Sequence, residues 1–568
     1  MARRRSCESL NHIDIDMRPI TREHFLWALV VAAAAAMRIP ALDFPLADAE
    51  ASAALAALQT ARGGSATLLN PLFGFLQSVI LMLFGDSNTM TRVVSLVGGL
   101  ALCLWPIALR GVLGRARALM MAALLCISPT MMFVGREALG GGLAWLIAAA
   151  MVGMRDMRPV VRAILLGLLL ACGVDAVAPL LVVLLMFGMT RRLGELRVLA
   201  DKRALGALAA AFAAGATGFL LRPAGLADAF EGWTAWLRTG GEVNRLVLGV
   251  AFGEMLAIVF ALVAGVRALM RRVSENHAPL VDTGTFRFGA AWISAGLVAL
   301  LLLPGRSAAT ATAVVIGAAV LASEPLTLML KGLRRRSNWV TWATAGLVFV
   351  LLQFVGIGLR NYAMQNQTVY LLPVAVALVM TVGVLASAAL NEQTELAMLG
   401  IGAALALTLG LYVLGIGVRA TQIGWADVSE PYRAHAPQPG LATLRDVVRE
   451  ASVRAEGEPD AVSIFVDASA PASLRWVLRN QAKVRYGIDI GTQDMLLLPS
   501  AKKPAESRAF VGSRYRLERM AALDPTNGGV VGLLRWLLYR QGGTTGTTDV
   551  YWTLWVSDSL AADMSGRR

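Results

Sequence analysis

The residues best able to do chemistry lie in "FPLADAEASAALAALQTARGG", residues 44–64. Asp48 and Glu50 stand two apart, just after the first strongly apolar segment. In an extended or loop segment such a pair shares a side, whereas on a helix the two diverge. Carboxylates at a membrane surface can take a proton from an acceptor hydroxyl or bind a divalent cation. They also have a structural reading, with Asp48 as N-cap and Glu50 as first-turn acid of the helix "AEASAALAALQTA". No second ligand cluster accompanies them. No metal residue is assigned, and a divalent cation is an option at these two acids alone.

Arginines form the second set. Arg92 opens an apolar segment and Arg136 closes one, and Arg306 and Arg360 also stand at segment ends. Each has two uses. It can snorkel to lipid phosphates, or its planar fork can hold a phosphate or pyrophosphate. Paired carboxylates and several arginines at one membrane level point to a phosphate-linked membrane substrate.

The elements that must position these residues are membrane helices. Of 568 residues 57% are hydrophobic and 16% charged, with a mean hydropathy of +0.61; a soluble chain carries about a quarter charged residues. Apolar runs of roughly 18 or more residues recur, each long enough to cross a bilayer. The net charge of +14 is explained by basic residues gathering in inner loops, without invoking nucleic acid. The segment 70–85, opened by Pro71 and interrupted by Gly74, is too short to cross and is placed on the outer face. Thirteen spans then run from 24–41 to 396–418, with 24 Lys and Arg on inner loops and nine on the outer segments before residue 419. Letting 70–85 cross would reverse that bias.

The resulting organisation is a basic cytoplasmic tail (1–23), a transmembrane part (24–420) with its first outer loop at 42–91, and an extracytoplasmic part (421–568). In the last, strand-like "AVSIFVD", "DMLLLP" and "DVYWTLWVS" alternate with helix-like "LATLRDVVREASVRA" and "PASLRWVLRNQ", which predicts a small α/β domain. "SLRWVLRNQ" and "LLRWLLYRQ" are amphipathic and are assigned to that domain's own core. Cys103, Cys126 and Cys172 lie in apolar segments and Cys7 in the tail, so neither disulfide nor thiolate metal site is implied. "GTTGTT" lacks the lysine and the strand–helix setting of a phosphate loop. Asp175 in "CGVDAVAP" is placed at an outer turn and Glu324 in "ASEPL" at an inner span end, both in structural roles. Such buried acids are otherwise few, which argues against simple transport.

An ordered set of stretches then becomes recognisable. An outer loop with paired acids leads to "ARGG", "NPLFGFLQ", "LFGDSNTMTRVVSLVGGL" and "LGRARALMMAALLCISPTMMFVGREA". Over residues 24–140 these resemble the GT-C fold glycosyltransferases that use polyprenyl-phosphate sugars, with protein O-mannosyltransferases and lipid A aminoarabinose transferases among them. In the tail (470–556), "PASLRWVLRNQAKVR" and "LLRWLLYRQGGTTGTTDVYWTLWV" are similar to the flippase-activity-associated family of archaeal N-glycosylation. The resemblance implies an α-helical polytopic GT-C-like fold of about 13 transmembrane helices. It also implies sugar transfer, on the outer face, from a polyprenyl-phosphate donor in the membrane lipid to a glycan, lipid or protein acceptor. It assigns Asp48 as general base with Glu50 beside it, although the family's acids are adjacent and Ala49 separates these two. Arg92 matches the arginine that contacts the donor phosphate. Asn70 stands where mannosyltransferases have the histidine of a His-Pro-Pro segment, and Arg136 fits an arginine at the outer end of the third span. The alternative is a non-catalytic transporter or flippase-associated protein that handles lipid-linked sugars.

Overall fold

The computed structural model describes residues 22–568 apart from 154–157, 193, 195–200, 239, 274–282, 489–492, 505–508, 559 and 562–568. The basic tail lies outside the described residues, apart from its last two positions.

Six described helices are long and apolar enough to cross a bilayer: Asn88–Leu113, Gly284–Leu302, Ala308–Arg336, Trp339–Gln365, Thr368–Leu390 and Thr394–Ile423. Two pairs reach that length only together, Pro159–Leu170 with Gly173–Met189 and Val243–Gly253 with Met255–Met270, bent by 117° and 75°. Among the described residues that makes six membrane-length helices, or eight if each bent pair is one span, against the thirteen expected; the remaining expected spans correspond to shorter or broken helices. One part of the difference is a break that a hydropathy window averages away, another a bend sharp enough that two expected spans together reach the length of one. Ser128 and Pro129 split the expected 118–135 span into Arg115–Ile127 and Pro129–Val134. Gly173, at φ +53°, supplies the sharp turn between 161–174 and 176–190.

The first outer segment holds three helices in succession after α1 (Arg22–Arg38): α2 (Asp48–Ala61), α3 (Pro71–Phe84) and the start of α4 (Asn88–Leu104). In α3, Pro71 occupies the first turn, where its missing N–H costs nothing, and Asn70 accepts the Phe73 N–H as N-cap. Its 14 residues extend about 21 Å, short of the ~30 Å hydrocarbon thickness.

Ala308–Arg336 is the buried centre of the bundle. Small residues bring its neighbours close: a Cβ on Gly317 would stand 2.7 Å from the Ile293 backbone nitrogen. Beside it, Trp292 sits between Trp105 and Trp145, with ring centroids 6.5 and 6.3 Å away.

The C-terminal part forms one six-stranded sheet from β1 (His435–Pro437), β2 (Ser463–Asp467), β3 (Lys483–Gly487), β4 (Met495–Pro499), β5 (Phe510–Leu523) and β6 (Thr544–Ser557). The order is β1-β5-β6-β4-β2-β3. β2 runs parallel to β3 and β4, whereas the other pairings are antiparallel. The sheet is therefore mixed, because the long β5 and β6 pair with each other on one side of the parallel β4-β2-β3 unit. Leu441, Leu444 and Val448 of the Gly440–Glu456 helix cover Ile464, Val466, Leu497 and Leu554.

The two amphipathic stretches meet the expected placement only in part: Leu474 and Leu478 enter the sheet's own core with Val466 and Leu497, but other side chains reach the membrane part. Trp476, 1% exposed, packs with Leu46, Ala51, Ala54, Ala57, Leu58 and Leu81 of the first outer segment. Trp536 donates its indole N–H to the Ser429 carbonyl, and Arg535 donates to that of Ala363 on Trp339–Gln365. Both stretches dock the C-terminal part onto the membrane part. Amphipathicity marks a buried face without saying which partner buries it.

Candidate functional site

Two arrangements contain the expected site residues, and they are distinct. The first is a buried ion pair. Arg92, on α4, is 0% exposed and Glu50 3%. Arg92 Nη2 lies 2.9 Å from Glu50 Oε2 and Nε 3.3 Å from Oε1. The remaining capacity of the carboxylate is filled by the N–H groups of Ala138 (2.7 Å) and Ala47 (3.0 Å). Arg92 Nη1 donates to the Leu42 and Phe44 carbonyls at 2.7 and 2.8 Å, and its guanidinium carbon lies 3.8 Å from the Phe44 ring centroid. Burial opposes the Glu50 charge, but Arg92 and the two N–H groups outweigh it and hold the carboxyl below its usual range. Glu50 keeps no open oxygen for a cation, and Arg92 presents no donor to a ligand. Arg136 joins this layer, donating to the Arg38 and Ala41 carbonyls at 2.6 and 2.8 Å. Its own burial, then the positive charges of Arg92, Arg433 and Arg38, lower its pKa to about 10.

Asp48 does not cap its own helix, where Ala47 holds the N-cap position. It caps another. Its Oδ1 accepts the Ser473 N–H at 3.0 Å, at the start of the Ala472–Val477 helix of the C-terminal part. Arg360, far from these, donates Nε to the Tyr539 hydroxyl at 2.7 Å and stacks on that ring.

The second arrangement is a cavity of about 440 Å³ enclosed by α2, α3, the bend before Gly173–Met189 and the start of Ala308–Arg336. Asn70, Asp175 and Arg306 line it, with Gln77, Ser307 and Thr310 as further polar groups. Asn70 works at both ends. Its carbonyl caps α3, and its amide donates to Asp175 Oδ2 at 2.6 Å across 105 positions of sequence. Gly140 closes over this pair so tightly that a Cβ would stand 2.0 Å from Asn70 Nδ2 and 2.9 Å from Asp175 Oδ2. Arg306 donates Nε to the Leu303 carbonyl, its side chain's one hydrogen bond among the described residues. Its terminal nitrogens are available to a ligand.

Of the expected residues, Asn70 and Arg306 share this cavity, while Asp48, Glu50, Arg92, Arg136 and Arg360 are held elsewhere. Asp175, expected in a structural turn, is the one carboxylate among the described lining residues. The available signal was an acid beside Gly173 in an otherwise apolar run, at a break between two half-helices. Glu324 does take a structural place, buried in its helix 3.9 Å from Arg117. Glu137, which stands next to Arg136 in "GREA" and was given no role, is coupled to the charges of both arrangements, those of Glu50 and Arg92 on one side and Asp175 on the other. Burial, then the Glu50 charge, pushes its carboxyl up to about 8. Among the described residues no group of three or more His, Cys, Asp or Glu is placed to hold a metal.

No family profile and no curated sequence matches the chain. Its fold does match solved structures. ArnT, the aminoarabinose transferase, from Cupriavidus metallidurans in the apo state aligns at TM-score 0.50 and 15% identity, covering 81% of this chain and 84% of that one. The same enzyme bound to undecaprenyl phosphate aligns at TM-score 0.51 and 14% identity, covering 84% and 93%. The chain is thus built on the GT-C fold over most of its length, as a multi-pass membrane protein with an appended sheet.

Proposed function

We propose that the chain is an integral membrane glycosyltransferase that moves a sugar from a polyprenyl-phosphate donor to an acceptor hydroxyl at the outer face. The observation that carries this is the cavity with Asp175 and Arg306 on its wall. Its volume lies within the ~300–1,000 Å³ usual for small-molecule sites. That a protein of the same fold was solved with undecaprenyl phosphate supports a donor of this class.

In this reading the acceptor oxygen bonds to the anomeric carbon as the bond from that carbon to the phosphate oxygen breaks. The leaving polyprenyl phosphate keeps the electron pair, and the guanidinium of Arg306 stabilises its growing charge. The hydroxyl proton passes to the Asp175 carboxylate, which Asn70 holds in place. The base role that the resemblance gave to Asp48 moves to Asp175, because Asp48 is engaged with Ser473 outside the cavity. Glu50 and Arg92 become positioning residues for the loop that walls the site.

The test is purified protein in lipid nanodiscs with a polyprenyl-phosphate sugar, following release of free polyprenyl phosphate. Asp175→Asn should retain donor binding and lose ~10²- to 10⁴-fold in turnover, the range for a general base. Arg306→Gln should weaken donor binding. Lipid movement across the bilayer without any sugar release in wild type would replace this reading by the carrier alternative.

A further inference from the structure

A second cleft lies above the first. It measures about 690 Å³ and opens between α2 and the C-terminal part, where Ala472–Val477 and the edge strand β3 face the first outer segment. Ser52, Ala56 and Thr67 line both cavities, so the two are contiguous across one turn of α2. Its polar lining is Arg62, Arg475, Arg479, Gln59, Gln481 and Tyr486, and no described lining residue is a carboxylate.

The three cations are incompletely neutralised. Arg62 and Arg479 share one acid, Asp86, at 3.3 and 3.4 Å. Arg475 has only carbonyl partners, those of Ala470 and Ala468, and its guanidinium lies over the Tyr486 ring at 5.2 Å. Gln481 Oε1 is buried without a hydrogen-bond partner. Along β3, Val484 and Tyr486 face the cleft while Lys483 and Arg485 alternate to the other side. The cleft therefore combines excess positive charge, an unmet acceptor and an aromatic face, and it communicates with the cavity proposed for the donor.

We infer that this cleft holds the acceptor, and that it selects an acceptor bearing an anionic group, phosphate or carboxylate, on a polar glycan-like body. The inference rests on the transferase reading for the word acceptor; the anion site itself does not. Bound there, the anion would anchor one end of the molecule on Arg475 and Arg62, and a hydroxyl could reach past Ser52 and Thr67 toward Asp175.

The experiment uses the full chain in nanodiscs and calorimetric titration with three probes: a hexose 6-phosphate, an oligogalacturonate and neutral maltotriose. The anionic probes should bind, with affinity falling as salt rises. Arg475→Gln should weaken them roughly tenfold or more, the scale of one charge-assisted contact. Arg62→Gln, at a largely exposed residue, should act in the same direction. Both variants should leave donor affinity unchanged. Tightening of the phosphate probe alone between about pH 5 and 7, as its second ionisation completes, would identify phosphate over carboxylate as the preferred group. Neutral and anionic probes binding alike, in wild type and Arg475→Gln, would overturn the inference, as would donor binding without any anion binding. Anion binding of the expected kind in a protein that never releases sugar from the donor would leave the anion site standing and remove the acceptor role together with the transferase reading.

Discussion

Glu50 and Arg92 show how one pair of side chains can look catalytic and act as an anchor. Both are almost wholly buried and each satisfies the other, with backbone groups filling what remains. Removing one partner of such a pair leaves an uncompensated charge, which costs about 3–5 kcal/mol. Arg92→Ala should therefore lower stability by that amount in denaturant unfolding of the detergent-solubilised protein. Arg92→Met combined with Glu50→Gln should cost less than Arg92→Ala alone. A donor-binding role predicts the reverse, with donor affinity lost and stability kept. Glu137 gives a pH test in the same layer. Its carboxyl is raised from 4.5 to about 8 by burial and then by Glu50. The folded state thus keeps a proton that the unfolded chain releases. The stability associated with that proton is full below the unfolded pKa and is lost as pH rises through the folded one. Unfolding measured between pH 4.5 and 8 should show stability falling with pH in wild type, and Glu137→Gln should flatten that slope. An unchanged slope in the variant would assign it to other groups.

Among the elements, the turn before Gly141–Gly153 and the start of α3 together set the Asn70–Asp175 pair. A methyl at Gly140 would overlap Asn70 Nδ2 and crowd Asp175. Gly140→Ala should therefore shift both side chains, and sugar release should fall on the order of a hundredfold, the cost of about 1 Å of misplacement. Donor affinity should change far less, because Arg306 sits on a different element. This coupling also marks what could be read from the sequence. Asn70 and Arg306 were visible, the first as a polar residue before a proline-opened apolar helix and the second as a cation at a segment end. Asp175 was not, since its importance comes from an approach between residues 105 apart. Likewise α3 was recognisable as a short helix from Pro71 and Gly74, and the turn at Gly173 fell between two expected segments, whereas the break at Ser128 lay inside a run that read as continuous. In the C-terminal part, β2, β4 and β6 stood out as apolar runs. β3 and β5 did not, because they are half-exposed strands whose alternate positions carry Lys, Arg and Ser, with no apolar run to mark them.

For the whole molecule, the question is how the sheet sits over the membrane part and on which side. Asp48 caps Ala472–Val477, Trp476 donates to Asn88 Oδ1 at 2.8 Å, and Arg245 reaches the Val428, Glu430 and Arg433 carbonyls from the membrane part. The sheet is thereby fixed on the same face as α2 and α3, the face on which both cavities open. We propose that this face lies outside the cell, and charge supports that side. On the thirteen-span reading, placing α2, α3 and the sheet outside leaves 24 Lys and Arg on inner loops against nine on the outer segments before residue 419, the bias that insertion favours. Placing them inside inverts it. Ser513 is exposed on β5, and the described native cysteines, Cys103, Cys126 and Cys172, are buried. In a Cys7→Ser background, Ser513→Cys should therefore react with a membrane-impermeant maleimide on intact cells. Labelling seen only after permeabilisation would put both cavities on the cytoplasmic side. It would then remove the outer-leaflet donor from the proposed reaction, because a carboxylate and an arginine can act only on the lipid-linked sugar that reaches their own side of the bilayer.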